Sequence, residues 1–288
     1  MILWGTPPLV SKLLVGSGTF PGFFFGFIRY FIAFFSLSLI ILLNRRGGTV
    51  LQVLKRKKNS LLICSFWLIL MAFGQNFSVN YILGTSSSIL LNFNPALIYL
   101  AAPFITDEIY SRKRSLGVLI ATMGLLLVLL ASFEDSSLIL SETFLIGNGL
   151  GFLSGVAWAG YSLSLRRFFT EWKGKEIEIT SINLGLASLI LLVINLATEP
   201  WPPMEKFTFL SIWGIIVVGL GAAAVAFTLY LGLIQRYGTI AAGNIQFLVP
   251  IVSLVLGWFF LGEFSFFAFI GGFLCALGVL VVTYERSK

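Results

Sequence analysis

Amide, hydroxyl and aromatic side chains recur inside stretches that are otherwise apolar: Thr6; Gln75, Asn76 and Asn80; Ser88, Asn92 and Asn94; Trp158, Tyr161 and Ser162; Thr228 and Tyr230; Asn244 and Gln246. A buried amide without a partner costs roughly 2–7 kcal/mol, so these groups must face either one another or a wet cavity. Their chemistry is recognition of a polar solute or hydrogen bonding between helices. Thr6, Gln75, Asn76, Asn80, Asn92, Asn94, Trp158, Tyr161, Tyr230, Asn244 and Gln246 are the candidate binding residues. Asn92, Asn94 and Gln246 stand out because Pro95 and Pro250 interrupt the same helices, and interrupted helices expose backbone groups to a ligand. Four charges lie in or beside the apolar stretches. Lys12 and Arg29 either meet a substrate carboxylate or a coupling charge, or carry their cations to the interface on aliphatic stems. Glu108 and Glu263 are either gate or proton-coupling groups, or else caps and interfacial ion pairs.

Bond-making chemistry is poorly represented. The chain has no His, which removes His-dependent triads, His-based zinc motifs and imidazole relays. Neither a Gly-x-Ser-x-Gly elbow nor a Gly-x-x-x-x-Gly-Lys-Ser/Thr loop occurs. No catalytic residue, metal or cofactor is therefore expected. The glycines at Gly147, Gly149 and Gly151, at Gly219 and Gly221, and in the Gly22–Gly26 and Gly151–Gly155 spacings sit in apolar stretches and predict close helix packing. Cys64 and Cys275 read as small apolar fillers.

The elements that must position the polar groups follow from composition. With 58% hydrophobic and 11% charged residues, the chain lacks enough polar surface to cover a soluble domain of its length. Apolar windows long enough for a bilayer of about 30 Å fall near 1–16, 22–43, 60–81, 86–105, 115–132, 147–168, 179–197, 208–230, 239–261 and 265–284. The expectation is an all-α integral membrane fold of ten transmembrane helices. The first window is short and lacks the basic region and small-residue cleavage site of a signal peptide. All of the nineteen Lys and Arg except Lys12, Arg29 and Lys206 fall on one side when the N-terminus is inside. The reading is then a multi-pass protein of the cytoplasmic membrane with both termini cytoplasmic. Topology accounts for the net charge of +7, so no nucleic-acid partner is expected.

The chain also repeats itself. Asn80-Tyr81-Ile82-Leu83-Gly84-Thr85 leads to Pro95, Glu108 and Gly117, and Arg236-Tyr237-Gly238-Thr239 leads to Pro250, Glu263 and Gly272, each at an offset of 155 residues. Trp4 and Lys12 recur as Trp158 and Arg166 at an offset of 154. Five helices per copy oblige the second copy to enter the membrane from the opposite side. The predicted organisation is two inverted five-helix repeats, 1–133 and 147–288, joined by an outside loop over 134–146. Inverted repeats suit a carrier that holds its substrate near the midplane and exposes it to each side in turn.

Trp4-Gly5-Thr6-Pro7 through Lys12, then Pro21, Arg29-Tyr30, Asn80-Tyr81, Pro95, Glu108 and Gly117-Gly124, echoed by Tyr237, Pro250, Glu263 and Gly272-Gly278, resemble the EamA-domain branch of the drug/metabolite transporter superfamily. The resemblance implies a ten-helix tandem fold, both termini cytoplasmic, and export of small metabolites or amino acids. A cavity lined by Trp158 and Tyr161 would suit an apolar or aromatic solute. The expected partners are a small-molecule substrate and membrane lipid, with oligomeric state left open. The other readings are an intramembrane lipid-modifying enzyme and an uncoupled facilitator or channel. The basic segment 44–59 is expected to be a polar linker lying along the anionic membrane surface.

Overall fold

The computed structural model describes residues 2–131, 142–249, 251–252, 255, 258–259 and 266–284, and all regular structure among them is helical. Pro250 and Glu263 lie outside the described residues. The helices are α1 (Ile2–Leu14), α2 (Gly22–Leu43), α3 (Gly47–Ser78), α4 (Gly84–Leu91), α5 (Asn94–Ile105), α6 (Arg112–Ala131), α7 (Glu142–Phe169) and α8 (Glu176–Thr198). They continue with α9 (Phe209–Ile216), α10 (Ala226–Tyr237), α11 (Thr239–Asn244) and α12 (Phe266–Tyr284). Among the described residues, five stretches are long and apolar enough to cross a membrane: Gly22–Leu43, Gly47–Ser78, Ser86–Ile105, Glu176–Thr198 and Phe209–Tyr237. Their outward faces carry Phe31, Phe35, Leu42, Leu196 and Leu229, all well exposed, which water would not tolerate over so large an area and lipid does.

Three departures from regular α-helix shape the interior. The first is a break at Asn92–Phe93 between α4 and α5, with Pro95 in the first turn of α5 where its missing N–H is harmless. Asn92 caps the broken end: its backbone N–H and its side-chain Nδ2 both donate to the Ser88 carbonyl, the latter at 2.7 Å. The second is a π-helical stretch, Val217–Val225, between α9 and α10, built from the small-residue run Val-Val-Gly-Leu-Gly-Ala-Ala-Ala-Val. Its wide turns are tolerated because a neighbouring side chain takes up a carbonyl: Trp4 Nε1 donates to Ala222 O at 3.1 Å. The third is a tightening of α11 into a 3-10 turn over Ile245–Leu248, just before Pro250.

The basic segment 44–59 connects α2 to the apolar part of α3. Residues 47–59 of the connection are helical and open α3, with a kink at Lys57 (φ −128°, ψ 23°). Its Leu, Gln, Lys and Arg are good helix formers. Fully buried Val53 and the Gln52–Lys175 hydrogen bond (3.0 Å) dock it on the rest of the chain.

Helices α2 and α8, and likewise α6 and α12, pack against each other in antiparallel fashion. In the α2–α8 pair Phe34 meets Gly185, Gly26 meets Leu191, and Ser38 Oγ lies 3.1 Å from Ser181 Oγ. Between α6 and α12 the contact is reciprocal: Gly124 sits against the Gly271 carbonyl and Gly278 against the Gly117 carbonyl. A β-carbon at Gly124 or Gly278 would lie 2.5 Å from those oxygens, so only glycine permits this approach. Gly151 and Gly155, as their spacing suggested, let α7 lie against Leu90 and Leu91 at the end of α4. The thiols of Cys64 and Cys275 are buried and free.

Gly124→Ala is therefore expected to lower the thermal unfolding midpoint of the detergent-purified protein by an amount equivalent to about 1–3 kcal/mol. That would be so despite a helix-propensity gain of about 1 kcal/mol. An unchanged midpoint would show that the two backbones can separate at no cost.

Candidate substrate cavity

The first polar residues to emerge on an interior surface are those nearest the helix breaks. Asn92, at the end of α4, and Gln246, in the 3-10 turn after α11, line the same cavity. So do Gln75 of α3, Arg29 and Tyr30 of α2, and Trp158 of α7. Trp4 and Pro7 of α1, Met71, Leu91, Val218, Ala222, Ala223, Phe227 and Val249 complete the wall. The cavity proper is small, about 50 Å³, and it is open on one side. Apolar walls and a few fixed polar tips are the usual make-up of a small-molecule site.

Aromatic rings form one side. Trp4 packs edge-on against Trp158, with centroids 5.4 Å apart, and against Tyr230 at 5.1 Å. Trp158 stacks on Tyr230 at 5.4 Å and leans on Phe227 at 5.0 Å. Ser162 fixes this cluster from behind: its hydroxyl donates to the Trp158 carbonyl (2.8 Å) and lies 2.9 Å from Tyr230 Oη. Trp158 Nε1 and Gln246 Nε2 lie beside the Tyr230 hydroxyl without closing a hydrogen bond of good geometry.

Arg29 supplies the charge. It is 3% exposed, about two turns into α2. Its Nη1 donates to Gln75 Oε1 at 3.4 Å and its Nη2 to Tyr30 Oη at 3.2 Å, both long, and Nε has no partner. The guanidinium also lies over the Tyr30 ring at 4.8 Å and the Phe25 ring at 5.8 Å. No carboxylate among the described residues is within ion-pair distance of it. Neutral amide, hydroxyl and ring contacts orient a buried cation and leave its charge uncompensated.

The remaining predicted residues are elsewhere. Thr6 bonds the Leu3 carbonyl within α1, and Asn76 ties α3 to α2, donating to Gly22 O (2.9 Å), and to α1, accepting from Ser11 Oγ (3.4 Å). Asn94 donates to Leu91 O across the α4–α5 break. Tyr161 and Tyr230 are buried behind Trp158. Asn244 is buried, with both side-chain polar atoms unpaired. Asn80 is exposed and borders a shallow hollow with Gly22, Phe77 and Glu199. Lys12 donates to the carbonyls of Val79 (2.7 Å) and Ile82 (3.1 Å). Trp4 and Phe227 were not among the predicted residues; the signal for Trp4 was its position 154 residues before Trp158.

Carboxylates bind helix starts at both ends of the bundle. Glu108 accepts from the N–H groups of Thr239 (2.5 Å) and Ile240 (3.0 Å), opening α11, and lies 3.9 Å from Arg166 Nε. Gly238, at φ +89°, makes room: a β-carbon there would strike the Glu108 carboxylate at 2.8 Å. Glu199 accepts from Gly22 N (3.2 Å) and Phe23 N (2.9 Å) at the start of α2, and the Arg46–Glu178 ion pair (3.6 Å) sits at that helix's other end. Glu108→Ala would strand two amide donors. Charge-assisted hydrogen bonds of this kind are worth about 1.5–3 kcal/mol each. A fall in unfolding midpoint corresponding to a loss of that order is expected, with Glu108→Gln less affected; equal midpoints for all three proteins would discount the cap.

The comparisons with known proteins agree with this architecture. A solved crystal structure superposes with a TM-score of 0.76, covering 99% of this chain and 95% of its own at 20% identity, which is a likeness of fold. The uncharacterized transporter YoaV of Bacillus subtilis (strain 168) is 22% identical over 100% of this chain and 95% of its own length. The uncharacterized transporter YyaM of the same organism is 25% identical over 94% and 92%. Residues 145–284 match the EamA-like transporter family, and along almost its whole length this membrane protein is similar to relatives named as transporters.

Proposed function

We propose that this protein is a secondary transporter that moves a small organic metabolite, an amino acid or related apolar or aromatic solute, across the cytoplasmic membrane by alternating access, in the export direction. The observation that carries the reading is that both copies of the repeat contribute equivalent residues to one cavity. Trp4 and Trp158 are separated by 154 positions, as are Asn92 and Gln246, and all four line it. The reciprocal Gly124–Gly271 and Gly278–Gly117 contacts support a two-fold relation between five-helix units 1–133 and 147–288, linked through 134–146. Antiparallel packing of corresponding helices is what inverted topology requires. Ten spans then arise by counting α4 with α5 as one, α9 with α10 as one, and α11 as part of one.

Two arrangements of equal halves are close in energy, so the cavity can open to either side. Glu108, with Arg166 and the start of α11, closes one end. Glu199 and Lys12 bind backbone groups at the other. The basic residues Arg45, Arg46, Arg166, Lys175 and Arg236 gather at the Glu108 end, which supports a cytoplasmic placement for it. An intramembrane enzyme is the less favoured reading, because the lining has no acid–base pair among the described residues. Product formation from membrane lipids would revive it.

Reconstituted vesicles loaded with unlabelled solute should show counterflow of a labelled amino acid or hydrophobic solute that saturates with concentration. Asn92→Ala and Gln246→Ala should each cut it at least about tenfold while insertion and unfolding midpoint hold. Linear, non-saturating flux would identify a channel instead, and undiminished flux in both variants would remove these amides from the site. Preference for a strongly anionic sugar phosphate would overturn the assigned solute class.

A further inference from the structure

The charge of the cavity is a more specific clue than its shape. Among the described lining residues there is one full charge, the Arg29 guanidinium, and no Asp or Glu. Arg29 is 3% exposed, with Nε unpaired, and its two Nη contacts are long and go to neutral groups. Gln246, also 3% exposed and on the same wall, has Nε2 unpaired. A guanidinium held in so apolar a setting is stabilised best by a planar oxyanion able to accept two N–H groups at once.

Resting on the transporter reading, we infer that the cargo is a monocarboxylate with an aromatic or branched apolar body, its carboxylate paired with Arg29 and its body against Trp4, Trp158 and Phe227. One negative charge neutralises the cavity. A dianion such as a phosphate monoester brings a second charge with no partner, and an ammonium finds no carboxylate to receive it. The cavity thus ranks a simple organic acid above the zwitterionic amino acid of the same body, and both above the amine. Gln75 is a positioning residue, since its Oε1 accepts from Arg29 Nη1 and turns the guanidinium toward the shared space.

The test is equilibrium binding of labelled phenylacetate to the full-length protein in detergent, with phenylalanine, 2-phenylethanol, phenethylamine and phenyl phosphate as competitors. Phenylacetate should outcompete the alcohol, the amine and the phosphate by at least tenfold. Arg29→Gln should reduce the acid to the level of the alcohol, and Arg29→Lys should retain a smaller preference for the acid, because it keeps the charge and loses the fork. Should Arg29→Gln fail to fold, the wild-type ranking and Arg29→Lys decide alone. Absence of phenylacetate binding, or equal competition by alcohol or amine, overturns the inference. Counterflow on the same preparation separates the two claims. Saturable exchange of an amine or alcohol untouched by Arg29→Gln leaves the transporter standing and removes the anion site. Arg29-dependent binding of phenylacetate with no exchange of any solute keeps the anion site and removes the transporter.

Discussion

A polar side chain in hydrocarbon must be turned away from lipid, and nearly every particular of this bundle follows from that requirement. The outward faces are given over to Phe and Leu, and the amides, hydroxyls and the buried Arg29 guanidinium are turned inward. Some satisfy one another, as Asn76 does with Gly22 and Ser162 with Tyr230. Of those that do not, Arg29, Trp158 and Gln246 face one apolar-walled space, whereas Asn183, Asn195 and Asn244 are unpaired away from it. Binding chemistry here is the residue of an incomplete internal hydrogen-bond network.

Keeping that space open requires helices that do not run smoothly past it. The α4–α5 break, the π-helical stretch and the 3-10 turn after α11 each displace backbone from regular geometry beside the cavity. Each is supported locally: Asn92 caps the first, and Trp4 takes up a carbonyl of the second. Trp4 consequently has two jobs, one edge of its ring joining the aromatic wall and its N–H holding the wide turn. Rigid support comes from glycine contacts at the periphery, where α6 and α12 approach backbone to backbone.

Repetition explains why support and site coincide. Trp4 meets Trp158, the tryptophan 154 positions on, so the same residue type furnishes two walls. Departures from symmetry then carry specificity. Arg29 has Asn183 at the equivalent position, 154 residues on, so the cavity receives one cation and not two. The carboxylates that bind helix starts, Glu108 and Glu199, are placed where a change of hydrogen-bond partners would free one end of the bundle without disturbing its middle.

Much was legible in the residues alone. Hydropathy identified a helical membrane chain because transfer into lipid depends on composition, and five of the ten expected windows fall on helices long and apolar enough to cross. Proline marked the α4–α5 break because a missing N–H acts on its own helix. The kinship with transporters was visible in short motifs and their order. Which polar groups share a cavity was not: Gln75, Asn92, Trp158 and Gln246 do, whereas Asn80, Asn94 and Thr6, equally polar and equally spaced, are spent on local hydrogen bonds or the surface. Nor did the basic segment 47–59 announce that it would dock as helix, since its buried Val53 depends on a surface supplied from elsewhere in the chain. Local chemistry decides what a residue can do, but its neighbours come from helices hundreds of positions away, and only the packed bundle determines whether its hydrogen bonds are already taken.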